Sequence, residues 1–293
     1  MTTLPVRPAE DLVLRRPVLL AAFEGWNDAG DAASSAVEHL EAQWAARAVA
    51  AVDPDEYYDF QVNRPLVQLV DGLTRQVTWP TTRVSICSPP GAERDVVLVR
   101  GLEPNMRWRA FCAELVAIAD QLGVELVVTL GALLADSPHT RPVPVSGTAS
   151  DPGTATALGL ESSRYEGPTG IVGVFQDACT SAGMTSVSFW AAVPHYVAQP
   201  PCPKATVALL RRVEDLLDIP VPLDDLPERS RAWERQVDEL AAEDSDVAEY
   251  IASLEEREPE TELPEASGEA IAKEFERYLR RRDDGPRGEV SGS

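Results

Sequence analysis

The stretch PVLLAAFEGWNDAGDAASSAVEHLEAQWA, residues 17–45, decides how the rest of the chain is read. VLLAAFE (18–24) is apolar up to its last residue, the pattern of a strand buried on both faces. From Asp31 the period changes, and Ala33, Val37, Leu40 and Trp44 recur at helical spacing. A buried strand running straight into an amphipathic helix is the first half of a layered α/β unit. Between the two lies a polar corner, where many nucleotide-binding folds keep a phosphate loop. Gly25 and Gly30 have the five-residue separation of GxxxxGK[ST], but Asp31 stands where the lysine belongs, and no GxGxxG follows the strand. Asp28 adds a second carboxylate that would repel phosphate and suits the helix N-terminus itself. The corner therefore reads as structure: Asn27 or Asp28 in a turn, Gly30 where the backbone crowds, Asp31 near the N-cap.

Working outward, the alternation continues. AVAAV (48–52), TRVSICS (82–88) and DVVLVRG (95–101) read as strands, and LVQLV and RQVTWP flank DGLT as a hairpin, which suggests a mixed sheet. MRWRAFCAELVAIADQLG (106–123) is the clearest helix, with Trp108, Phe111, Leu115, Ile118 and Leu122 on one face and Gly123 at its end. Glu103, Pro104 and Asn105 supply turn and capping residues before it. VELVVTLGALL (124–134) reads as a central strand, GIVGVFQDA (170–178) and TSVSFWAAV (185–193) as two more, and CPKATVALLRRVEDLLD (202–218) as a closing helix. The expected fold is a three-layer α/β/α core with a mixed central sheet over 1–220.

After Pro220 the character changes. Trp233, Val237, Leu240, Asp244, Val247, Ile251 and Leu254 follow a 4-3-4-3-4-3 spacing, a short heptad seam with one acidic interruption. This suggests a helix or helix pair docked on a neighbour. A proline-containing break, REPETELPEASGE (257–269), leads to a second short helix, AIAKEFERYLRRR (270–282), and a disordered tail over 283–293. The helical appendage spans 221–282.

The formal charge is −22, and residues 214–270, with 20 acidic and 4 basic side chains, carry −16 of it. Such a field excludes nucleic acid as a partner, because binding it needs phosphates neutralised. No apolar run approaches a membrane span and no secretory signal is visible, so a cytoplasmic protein is expected. Cys87, Cys112, Cys179 and Cys202 are widely spaced and read as buried thiols. With only His39, His139 and His195 available, neither a metal site nor a cofactor is implied.

Two further stretches invite a sharper reading. ADSPHTRPVPVSGT (135–148) follows the central strand, at the edge where α/β folds bind ligands, and offers Ser137, His139, Thr140, Arg141 and Ser146. As an enzyme, His139 would be a general base, Arg141 an anion holder and Ser137 a nucleophile, with this loop and the 24–31 loop as two sides of one pocket. No GxSxG elbow surrounds any of its serines, and the prolines, Pro138 and Pro142 among them, equally suit a rigid binding surface. A Cys179/His195 pair is a weaker possibility. YYDFQVNRP (57–65) is either an ordered loop with an Asp59–Arg64 pair or part of a subunit interface.

AAFEGWNDAGDAAS, YYDFQVNRP, GLEPNMRWRAF, PHTRPVPVSGTAS and YEGPTGIVGVFQDAC, in this order, resemble the proteasome assembly chaperone family of the second-subunit type, most closely its actinobacterial branch. The likeness spans roughly residues 15–260. It implies a phosphorylase/hydrolase-like α/β/α fold, homo-oligomers, and a chaperone or adaptor role around proteasome subunits. It does not bring phosphorylase activity with it. Gly25, Asn27, Asp28, Gly30, Asp31, Asp59, Arg64, Pro138, His139, Arg141 and Pro142 are the motif positions it carries over. Members that dock on the proteasome commonly end in a hydrophobic residue, Tyr and any residue. Here the last four residues are VSGS, with Tyr278-Leu279 internal, so the resemblance does not extend to tail docking.

Overall fold

The computed structural model describes residues 4–162, 166–197 and 199–257. In chain order the elements are β1 (Val18–Glu24), α1 (Ala32–Gln43), β2 (Arg47–Ala51), α2 (Pro54–Tyr57), β3 (Leu66–Val70) and β4 (Thr74–Thr78). β5 (Thr82–Cys87), β6 (Val96–Leu102), α3 (Trp108–Gln121), β7 (Leu126–Ala135), β8 (Val145–Ala149) and α4 (Pro152–Leu158) follow. The chain continues through β9 (Glu161–Ser162), α5 (Ile171–Ser181), β10 (Ser186–Pro194), α6 (Pro203–Leu217), α7 (Leu226–Glu243) and α8 (Ser245–Glu256). The break, second helix and tail expected beyond residue 257 lie outside the described residues.

The main sheet has the order β2-β5-β6-β1-β7-β10-β8-β9. β6, β1, β7 and β10 run parallel at its centre, while β5 pairs antiparallel with both β2 and β6, and β8 antiparallel with β10. Val18 is in register with Val96 on one side and Leu126 on the other, so β1 is central. Its residues then feed two cores by alternation. Val18, Leu20 and Ala22 pack with α1 and α6, while Leu19, Ala21 and Phe23 pack with α3 and α5. In the second layer Phe23 meets Phe111 and Phe175 edge-on, with ring centroids 5.8 and 6.1 Å apart. The unbroken apolar run of the opening stretch is thus explained by two covered faces, and the three-layer α/β/α architecture with a mixed sheet is the observed one.

Three expectations need correction. GIVGVFQDA is not a strand: α5 begins after Gly170, and Ile171, Val172, Phe175 and Cys179 form its buried face at helical spacing. The β3–β4 hairpin forms a separate two-stranded sheet, so the main sheet is mixed because of β2, β5 and β8. The heptad seam is not continuous. Asp244 leaves helical geometry and caps α8, its Oδ1 accepting from Asp246 N at 3.0 Å. Leu240 is 62% exposed, and Ala241 takes its place in the buried stripe of α7 with Trp233 and Val237.

α7 packs mainly on α6, and Val221, Leu226, Trp233 and Val237 belong to the same buried cluster as α1 and α6. The core therefore runs on past Pro220. His39 and Gln43 of α1 fasten the connecting segment, reaching the carbonyl of Pro222 at 2.6 Å and the carboxylate of Asp224 at 2.5 Å. Among the described residues no helix is long and apolar enough to cross a membrane.

Candidate functional site

In the corner after β1, Asn27 and Asp28 are buried and their polar groups are spent. Asn27 O accepts from Ala132 N at 2.8 Å, which pins the corner to β7. Asp28 turns its carboxylate onto the first turn of α1, accepting from Ala33 N at 2.6 Å and Ser34 N at 3.2 Å. Asp31 occupies the formal N-cap position in the left-handed region, φ 50°, and makes no capping bond; the cap comes from Asp28, three residues earlier. Gly30 has φ 62°, and a Cβ there would stand 2.7 Å from the Cβ of Cys202. Glycine is needed for both reasons. The Gly30 carbonyl also accepts from Cys202 N at 2.8 Å, tying the starts of α1 and α6 together.

Burial raises the Asp28 pKa from 3.8 to about 6, against the lowering effect of its hydrogen bonds. A folded-state pKa above the unfolded one means the native chain binds more protons between these values, so this group's contribution to stability falls as pH rises from about 4 to about 6 and is level above that. Asp28→Asn keeps a capping acceptor and removes the titration. Urea titrations from pH 4 to 8 should show the variant gaining on the wild type up to about pH 6; a constant offset would mean Asp28 does not titrate there.

A second corner was not singled out by the sequence. Glu103, expected to cap α3, instead reaches the start of α5, where its Oε1 accepts from Ile171 N at 2.9 Å and from Asn27 Nδ2 at 3.0 Å. Burial raises its pKa, and these bonds lower it. Gly170 leaves room for this contact, because a Cβ there would lie 2.3 Å from Asn27 Nδ2. The only hint in the sequence was an acid closing an apolar strand, GLE at 101–103. Asn105, also expected to cap α3, accepts from Asp59 N and Asn63 Nδ2 at 2.9 and 2.8 Å. Both helices that point their N-termini at this corner, α1 and α5, thus carry an internal carboxylate where an anionic ligand would sit.

The loop after β7 is equally engaged. His139 has a side chain 2% exposed. Its backbone N–H donates to the Tyr196 hydroxyl at 2.7 Å, and that hydroxyl lies 2.8 Å from Nδ1. With the Tyr196 O–H donating to Nδ1, Nε2 carries the hydrogen and donates to Asp238 of α7 at 2.9 Å. The His139 carbonyl accepts from Lys204, which also pairs with Glu234 of α7. Arg141 donates to the backbone carbonyls of Glu255 and Arg257, and Thr140 to the Glu255 carboxylate. Asp136 lies 3.9 Å from Arg257 and 3.2 Å from His195, whose ring meets Tyr250 of α8 edge-on at 5.0 Å.

Residues 136–141 are therefore the seat on which α7 and α8 rest. Both ring nitrogens of His139 are occupied, so neither can serve Ser137, and Arg141 faces carbonyls rather than an anion. Pro138 is buried and Pro142 exposed. Ser146 lies in β8, so the end of the 135–148 stretch is strand rather than loop.

The two loops do approach, but through the start of α6, where Cys202 meets Gly30 and Lys204 meets His139. Surface depressions lined by Leu4, Pro5 and Arg47, and by Arg211, Glu214 and Asp218, reach neither loop. Cys179 and His195 do not meet: Cys179 is sealed in the α3–α5 layer, where burial pushes its thiol up to about 12. All four cysteines are free and buried. No ion pair joins Asp59 to Arg64; Asp59 Oδ1 instead accepts from Gln61 N at 2.8 Å. Among the described residues no three His, Cys, Asp or Glu side chains are grouped to hold a metal ion.

The model of the PAC2 family matches residues 22–241, from the end of β1 to the last turn of α7. The chain belongs to the PAC2 family. It is similar to a PAC2 family protein from Streptomyces avermitilis, with 63% identity, 80% of this chain and 99% of that chain covered, and a TM-score of 0.76. It is similar also to a proteasome-assembly chaperone homologue from Mycobacterium tuberculosis, with 62% identity, the same coverage and a TM-score of 0.73. An archaeal proteasome activator from Pyrococcus furiosus, 16% identical over 78% of this chain and 94% of its own, shares the fold at a TM-score of 0.62. No curated protein matches the chain.

Proposed function

We propose that this PAC2 protein is a non-enzymatic, cytoplasmic, homo-oligomeric chaperone or adaptor that acts on subunits of the core proteasome. The observation that carries the reading is the seat at 136–141: the side chains best suited to catalysis, His139 and Arg141, hold α7 and α8 in place. The internal carboxylates at α1 and α5 point the same way, since they occupy the natural anion sites of the fold. Membership of the family and the similarity to a proteasome-assembly chaperone homologue supply the partner class. The acidic α7–α8 arm gives the chain a negative face for a complementary partner.

The test mixes the full chain with purified α- and β-subunits of its host's core proteasome. A complex on native gels and faster appearance of assembled particles are expected. Unchanged assembly kinetics with no complex formed would sink the reading.

A further inference from the structure

β7 and β10 run parallel and side by side, and the loops that leave their carboxyl ends carry Asp136, Thr140, Arg141, His195 and Tyr196. Open α/β sheets receive ligands at that edge. Here the edge is filled by α8. Tyr250 sets its ring edge-on to His195 at 5.0 Å and to Tyr196 at 6.1 Å. Ile251 and Leu254 are buried beside it. Glu255 accepts from the Thr140 hydroxyl at 2.5 Å. Arg141 closes the end of the helix, donating to the carbonyls of Glu255 and Arg257, where the helix dipole is negative. An aromatic shelf, then a hydroxyl, then a forked guanidinium is the equipment of a receptor for an acidic helix.

α8 is joined to the rest lightly. Ile251 and Leu254 belong to neither core cluster, whereas Trp233 and Val237 of α7 belong to the first. The PAC2 family model ends at residue 241, inside α7, so the 136–141 seat falls within the shared fold and α8 outside it. A single extended residue, Asp244 at φ −126° and ψ 108°, links the two helices. The Asp136–Arg257 pair is long, at 3.9 Å, and both side chains are exposed; pairs of that kind hold a helix weakly. Without α8, Arg141 and Thr140 lose these acceptors, and the rings of His195 and Tyr196 lose the Tyr250 contact.

We propose that this seat is a binding site for an acidic helix of a partner protein, and that α8 occupies it as a built-in competitor. α8 is the template for that helix: an aromatic residue, a leucine four positions later, a glutamate next to it, and an end whose carbonyls Arg141 caps. Charge permits the exchange. Residues 245–256 hold four acidic side chains and no basic one, so replacing one acidic helix by another leaves the field at the seat nearly unchanged. The inference goes beyond the proposed function, and its test needs no proteasome subunit.

The probe is a labelled synthetic peptide of residues 245–257, followed by fluorescence anisotropy. It is titrated with the full chain and with full-length Tyr250→Ala/Leu254→Ala, in which α8 has lost its anchors. A tethered competitor reduces the fraction of open seats, so the intact chain should bind the peptide about tenfold or more weakly than the double variant. Arg141→Ala added to the double variant should weaken binding again by about tenfold, with an unchanged melt. Equal affinity for wild type and double variant, or a folded double variant that does not bind, overturns the inference. If the double variant does not fold, hydrogen exchange on the wild type decides: saturating peptide should speed exchange in α8 and leave α7 and β7 as they were, and an unaffected α8 overturns the inference. A concentration-dependent dimer that trades α8 between copies overturns it too, because the occupant is then a second copy. The mixing experiment with proteasome subunits is independent of these results, so the two readings fail separately.

Discussion

Trp233→Ala is expected to destabilise the folded chain by about 3–5 kcal/mol, the range for removing a buried aromatic side chain. α7 is long and acidic, and holds to the rest through a narrow buried stripe of Leu226, Trp233, Val237 and Ala241. Trp233 is by far the largest of these, and it lies in the cluster that includes α1 and α6, with its ring 6.4 Å from that of His139. Its indole N–H has no hydrogen-bond partner, so the residue acts through packing. Trp233→Phe, which keeps much of the apolar surface, forfeits no hydrogen bond and leaves a smaller cavity, should therefore cost less than the alanine variant, about 1–3 kcal/mol. Because Asp238 of α7 and Glu255 of α8 are brought to the 136–141 loop, and Glu234 of α7 to Lys204 of α6, the alanine variant should also raise amide exchange in α8 more than in β1 or β7. A loss below about 1 kcal/mol, or exchange rising equally everywhere, would show that α7 does not hold α8 on the 136–141 loop.

What could be read from the sequence follows from how local the cause was. β1, α1, α3 and β7 were legible because one period, or one unbroken apolar run, reports burial on faces that each segment covers by itself. α5 was misread since Gly170 and Gly173 weaken its helical signal, and its start depends on Glu103, 68 residues earlier. The hairpin was legible as a hairpin, but alternation says nothing about which sheet a pair of strands joins. Ser137, His139 and Arg141 admit a catalytic reading beside that of a rigid binding surface, because their residue types suit chemistry. The partners of His139 and Arg141, Asp238 and the Glu255 and Arg257 carbonyls, lie about a hundred positions away and are found only by folding. At the 25–31 corner the sequence offers two carboxylates to the start of α1, and only the fold shows that Asp28 makes the bonds while Asp31, at the N-cap position, makes none.

Glu103→Ala is expected to cost about 3–5 kcal/mol, because it leaves several buried donors without an acceptor at about 1–3 kcal/mol each. Asn27 is 3% exposed, so its amide cannot turn to water, and Ile171 N–H opens α5, whose Phe175 and Cys179 fill the core beneath. The backbone of Trp26 also donates to this carboxylate. Glu103→Gln keeps the oxygen that serves Asn27 and Ile171 but turns an amide toward Trp26, so an intermediate loss of about 1–2 kcal/mol should result. The pH dependence separates charge from hydrogen bonding. Burial holds the Glu103 pKa above its ordinary value, so the folded chain binds the proton more readily than the unfolded one, and the carboxyl's contribution to stability falls as pH rises through that interval. The deficit of Glu103→Ala relative to wild type should accordingly be larger at pH 4 than at pH 8, as read from denaturant midpoints at matched slopes. A deficit that grows with pH would mean that the ionised carboxylate, rather than the hydrogen-bonding oxygen, is what the start of α5 requires.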